Sequence, residues 1–60
     1  MFVRFKVGDD FIYVNPDRVF CVGERNDGKV AIWSDDEKNY VIVDGPLDRV
    51  AMQLSDAMRR

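Results

Sequence analysis

The sequence predicts an α+β fold: about five antiparallel strands forming a twisted sheet or a small open barrel, followed by one C-terminal helix. Three observations predict it. Short runs such as "FVRFKV" alternate apolar and polar residues, the period of a half-buried strand. The turn-forming clusters "GDD", "NPDR", "NDG" and "SDDEKN" separate those runs. After Pro46 the apolar spacing changes to i, i+3, i+4, i+7, the period of a helix.

The first strand, about residues 2–7, sets Val3, Phe5 and Val7 on one side and Phe2, Arg4 and Lys6 on the other. "GDD" turns the chain into a second strand at about 11–15. A two-residue loop, whether Gly8-Asp9 or Asp9-Asp10, puts Phe5 on the face of Ile12 and Arg4 on the face of Tyr13. A three-residue loop would set Phe5 beside Tyr13 and sort the polar residues less well. "NPDR" suits a turn, with Asn15 at its first position, Pro16 pre-setting φ at the second and Asp17 next.

The third and fourth strands, about 19–25 and 29–33, flank "NDG". A two-residue Asp27-Gly28 turn would pair Val22 with Trp33. A three-residue loop with Gly28 left-handed pairs Val22 with Ile32 and Cys21 with Trp33, and is preferred. It collects Phe20, Val22, Val30 and Ile32 on one face and leaves Cys21, Arg25, Ala31 and Trp33 on the other. "SDDEKN" reads as a solvated loop and "YVIVD", about 40–44, as the fifth strand. The helix, about 46–58, opens at Gly45-Pro46 with proline at its first helical position. Asp48 in the first turn and Arg59-Arg60 at the end have the signs the helix dipole favours. Leu47, Val50, Ala51, Leu54 and Met58 form its apolar stripe. The expected core is Val3, Phe5, Val7, Ile12, Val14, Phe20, Val22, Val30, Ile32, Leu47, Val50 and Leu54.

Sixty residues make a single domain, one that buries only ~60% of the surface its unfolded chain exposes. Domains of this size usually need a disulfide, a metal or a partner subunit. Cys21 is the only cysteine and there is no histidine, so neither a disulfide nor a structural zinc site is available within the chain. No metal or cofactor is expected, and association with another copy is the means of stabilisation that remains. The formal charge is −2 with 33% charged residues, which does not mark a dedicated nucleic-acid binder. No apolar run approaches the ~20 residues of a membrane span. The N-terminus alternates instead of forming the apolar block of a signal peptide, so a reduced, cytoplasmic setting is expected.

One helix stripe covers one face of such a sheet, not both. Phe2, Arg4, Lys6, Phe11, Tyr13, Arg25 and Trp33, with Tyr40 a further aromatic, are therefore the candidate interaction surface. Closure of the sheet on itself would make some of these rings core. A homo-oligomer interface would cover them with another chain, and Trp, Tyr and Arg are the residues that dominate such interfaces. A third reading is a stacking platform for single-stranded nucleic acid or nucleotides. Against it stand the acidic balance, with Asp9, Asp10 and Glu24 close by, and a simpler role for Arg4 as a cation–π partner of Tyr13.

Catalytic residues are not indicated. Without histidine the notable nucleophile is Cys21, read mid-strand between Phe20 and Val22 as a small buried hydrophobe. Asp35, Asp36 and Glu37 lack the ligand spacing of a calcium loop. Gly23, Gly28 and Gly45 form no phosphate-cradling motif.

The order of elements, with "FIYVNPDRVFCVGE" followed by "VAIW…NYVIVDGPLDRV", resembles the small flagellar FlbD/SwrD-type bacterial proteins. The likeness runs from Phe2 to about Val50 and rests on Asn15, Asp17, Val19, Tyr40 and Ile42. It departs at "DDEKN", where that family tends to have a short hairpin, and in the longer helix. The resemblance implies a non-catalytic bacterial accessory protein that acts through protein contacts. The expected function is a small protein-binding regulator or inhibitor, in the manner of a phage- or host-encoded effector, working as a homo-oligomer; nucleic-acid or nucleotide binding is the alternative.

Overall fold

The computed structural model describes residues 1–59. Five antiparallel strands, β1 (Val3–Val7), β2 (Asp10–Val14), β3 (Val19–Glu24), β4 (Val30–Ser34) and β5 (Tyr40–Val43), precede one helix, α1 (Leu47–Met58). The strands do not form a single sheet. β1 pairs with β2, and β3, β4 and β5 make a separate three-stranded sheet in that order. The "NPDR" segment divides them: Pro16–Arg18 is a 3-10 turn whose proline lacks the N–H that would continue a ladder. The Asn15 side chain accepts from the Asp17 N–H (3.1 Å) and its carbonyl from the Arg18 N–H (3.1 Å). The two sheets meet where the Asp44 N–H, just past β5, donates to the Lys6 carbonyl of β1 (2.9 Å).

In the first hairpin Val7 pairs with Asp10, so Gly8-Asp9 is the loop. Gly8 takes the positive φ (60°) that the first position of a II′ turn requires. Phe5 faces Ile12 and Arg4 faces Tyr13. The β3–β4 connection is the three-residue loop, with Gly28 at φ 83°. The Gly28 N–H donates to the Arg25 carbonyl (3.1 Å) and the Arg25 N–H to the Lys29 carbonyl (2.8 Å). Cys21 therefore pairs with Trp33 and Val22 with Ile32. β4 and β5 pair Ile32 with Val41 and Trp33 with Tyr40.

The core lies between the inner faces of the two sheets and the helix. Phe5 and Val14 come from the hairpin, Val30, Ile32 and Val43 from the three-stranded sheet, and Val50 and Leu54 from α1. Val3, Val7, Ile12, Val19, Val22 and Leu47 pack against them, and Pro16 is buried as well. α1 rests on the 3-10 turn, β3 and β1. Gly45, at the entry to the helix, touches the β3–β4 turn: a Cβ there would stand 2.5 Å from the Gly28 carbonyl oxygen.

Several expectations change. Phe20 is not core: the ladder shifts register between Val19 and Cys21, a bulge that takes Phe20 out of the alternation and leaves it 55% exposed. Val43 takes a core place instead. Cys21 is exposed, not the small buried hydrophobe expected. Pro46 stands at the N-cap with extended backbone (φ −82°, ψ 165°), and the first helical residue is Leu47. Met58, last on the stripe, is 46% exposed. Asp48 sits in the first turn as the dipole favours, but the last turn holds no cation. Arg59 is the C-cap, its N–H donating to the Ser55 carbonyl (3.1 Å). Arg60 lies outside the described residues.

Candidate interaction surfaces

The division into two sheets splits the candidate residues. Phe2, Arg4, Lys6, Phe11 and Tyr13 share the outer face of the β1–β2 hairpin, as alternation from Arg4, Lys6 and their partners dictates. Phe2 and Tyr13 are each 66% exposed and Phe11 52%. Trp33 belongs to the other sheet, on the outer face with Cys21, Ala31, Tyr40 and Ile42. Arg25 sits in the β3–β4 turn, where its Nε lies 3.5 Å from Asp27. Glu24 is also on the second sheet, opposite Val30, and so does not border the hairpin face.

Arg4 makes a cation–π contact, but not with Tyr13. Its guanidinium carbon lies 4.4 Å from the ring centroid of Phe11, the diagonal neighbour across the hairpin. Strand twist brings one diagonal pair closer than the other, and side chains of this length follow it. Beside this pair a cleft of about 340 Å³ opens between the hairpin and α1. Arg4, Lys6 and Phe11 line its hairpin side, Arg49 and Gln53 its helix side, with Asp44 at the junction.

The outer face of the three-stranded sheet is different in kind. The Trp33 ring lies over Gly23, where a Cβ would be 3.4 Å from it, and its centroid is 6.0 Å from that of Tyr40. No charged side chain interrupts Cys21, Gly23, Ala31, Trp33, Tyr40 and Ile42. Ion pairs stand at both ends of this sheet: Arg18 Nε–Asp35 at 2.7 Å, Lys29 Nζ–Asp44 at 3.1 Å and Arg25 with Asp27. The Asp35 hydrogen bond raises the Arg18 pKa. The Asp44 carboxyl is held below the ordinary carboxylate value, first by the Lys29 hydrogen bond and further by the Gly8 N–H. Asp27 is lowered too, chiefly by the Lys29 backbone N–H.

A third feature is an apolar groove of about 190 Å³ between edge strand β3 and the C-terminal half of α1. Phe20, Cys21, Leu54 and Met58 line it. The sequence did not reveal it because Phe20 read as core and Met58 as the end of a stripe that covers the sheet. Arg49 was missed as well: its place opposite Arg4 comes from helix docking, which no local pattern encodes.

In the loop after β4, the Asp36 carboxylate accepts from the Lys38 and Asn39 N–H groups (2.8 and 3.0 Å). Among the described residues no three His, Cys, Asp or Glu side chains gather in a metal-binding group. No helix of the described residues is long and apolar enough to cross a membrane. The molecule is thus a small β-rich α+β protein with two outward aromatic faces, one basic and one uncharged. Comparison of the chain with family models, with curated proteins and with solved structures gives no match.

Proposed function

We propose that this protein is a non-catalytic regulator or inhibitor that works through protein contacts, as a homo-oligomer in the cytoplasm. The observation that carries the reading is the pair of outward aromatic faces, with Phe2, Phe11 and Tyr13 each more than half exposed on a chain of 60 residues. Exposed apolar surface of this kind on a small soluble protein marks an interaction site. The resemblance to flagellar FlbD/SwrD-type accessory proteins agrees with it, as does the lack of histidine. The Lys6–Asp44 backbone bond supports an open-barrel arrangement, in which the two sheets act as one curved wall.

Self-association is assigned to the Trp33–Tyr40 face. Two copies stacked there bring no like charges of the face itself together, because Cys21, Gly23, Ala31, Trp33, Tyr40 and Ile42 carry none. Two copies stacked by their hairpin faces would oppose Arg4 and Lys6 to the same cations. Light scattering across a concentration series from low micromolar upward tests this. A dimer is expected, and Trp33→Asp should remain folded but shift the mass to monomer. A monomer at every concentration would sink the self-association.

Nucleic-acid binding is kept as the second reading because Arg4 and Lys6 stand among the exposed rings. Its test is Trp33 and tyrosine fluorescence with oligonucleotides at low salt. Binding that weakens steeply with salt would replace the protein-binding reading.

A further inference from the structure

The described cations of this chain are either ion-paired or unpaired. Arg18, Arg25 and Lys29 are held by carboxylates around the three-stranded sheet. Arg4, Lys6 and Arg49 form no ion pair among the described residues, and all three line the cleft between the β1–β2 hairpin and α1. Lys38 in the loop and Arg59 at the helix end are the other described cations without a pair, and neither lines that cleft. Three positive charges face one concavity with a single carboxylate, Asp44, which feels Lys6 but is hydrogen-bonded to Lys29, so the cations outnumber it and repel one another. An anion placed among them relieves that repulsion.

The cleft offers more than charge. Phe11 supports the Arg4 guanidinium from one side at 4.4 Å. A guanidinium stacked on a ring keeps its N–H edges free, and those edges match a carboxylate in bidentate fashion. Gln53 adds amide donors from the helix side. The one carboxylate at the junction, Asp44, already accepts from Lys29 (3.1 Å) and lies near the Gly8 N–H (3.5 Å).

We propose that this cleft is the docking site for an acidic segment of a partner protein, whose carboxylates engage Arg4, Lys6 and Arg49 while its apolar residues meet Phe2, Phe11 and Tyr13. This rests on the protein-binding reading above and names the chemistry of the partner. The surroundings favour a short acidic segment over a nucleic-acid strand. Asp44 lies within the cleft, and Asp48 adjoins Arg49 in the helix. A continuous phosphate backbone crossing the cleft would run against these carboxylates. A short peptide that spaces its acidic residues with apolar ones can set them on the cations instead.

The experiment is an NMR titration of the ¹⁵N-labelled protein with three probes: a capped Glu-Leu-Glu-Glu-Leu-Glu peptide, the same peptide with Gln for Glu, and a dT hexanucleotide. The acidic peptide should shift the amides of Arg4, Lys6, Phe11, Arg49 and Gln53, and the Gln peptide should not. Arg49→Gln and Lys6→Gln should each weaken binding about fivefold, the size of an exposed ion pair, and together about 25-fold. Both positions are exposed, so the variants should keep the wild-type spectrum elsewhere. No shifts with the acidic peptide would overturn the inference. So would equal shifts with the Gln peptide, which would point to an apolar partner and leave the protein-binding reading standing. Tighter binding of the hexanucleotide would overturn both. Self-association through the Trp33 face is read separately by mass, so a failed cleft and a failed protein-binding reading give different results.

Discussion

Ile32 has no exposed surface, while Trp33, the next residue along β4, faces the opposite side of the sheet. A charge at the first position enters the core beside Val30, Val43, Val50 and Leu54 without a partner, and burying an unpaired carboxylate costs more than a small domain holds. Ile32→Asp should abolish the cooperative unfolding transition. The truncation Ile32→Ala should cost about 2–5 kcal/mol, whereas Phe20→Ala should cost less than about 1 kcal/mol because the bulge already leaves that ring in solvent. Urea denaturation followed by circular dichroism compares them directly. Equal losses at the two positions would place Phe20 in the core and contradict the bulge.

At the level of elements, the joint between the sheets is an electrostatic and backbone contact around Asp44. Its N–H bonds to the Lys6 carbonyl of β1, and its carboxylate accepts from Lys29 just before β4. A carboxyl whose folded pKa is lowered stabilises the fold at pH above its unfolded value of ~3.9. That contribution is lost as pH falls through the lower folded value. Stability should therefore drop on acidification below about pH 4, and Lys29→Gln should make the drop shallower. Asp27 keeps its backbone bond from residue 29 in that variant and supplies part of the slope that remains. Urea midpoints between pH 2.5 and 6 measure it, and an unchanged slope would mean the Lys29–Asp44 pair contributes nothing. Elements of this kind were unevenly legible in the sequence. Alternation plus turn chemistry was enough to place Phe5 with Ile12 and Val22 with Ile32, since a one-residue slip would have turned every apolar side chain outward. The bulge at Phe20 was not legible, because an inserted residue leaves the apolar pattern locally unchanged. Nor was the grouping of the candidate surface. Arg4 and Trp33 look alike as residues of outer faces, yet the 3-10 turn at Pro16–Arg18 sends them to different sheets. The meeting of Arg4 with Arg49 depends on where α1 docks, and docking is decided by long-range packing of Val50 and Leu54.

For the whole molecule, small size makes association a question of stability as well as of function. The described core draws on only a few large side chains, and a domain of this length gains little from burial beyond its conformational entropy. A second copy on the Trp33, Tyr40 and Ile42 face would bury apolar surface that the chain itself leaves open. Unfolding is then coupled to dissociation, and mass action makes the melting temperature depend on protein concentration. Each tenfold rise in concentration should raise Tm by about 5 °C, from about 1.4 kcal/mol shared between two chains of this size. Trp33→Asp should remove that dependence and lower Tm to a single concentration-independent value, without loss of the cooperative transition. Differential scanning calorimetry from about 10 µM to about 1 mM would show both effects. If wild-type Tm is flat across that range, the uncharged face is not the self-association surface. The Trp33 ring, lying over Gly23, would then cover the sheet as a cap made from the chain itself.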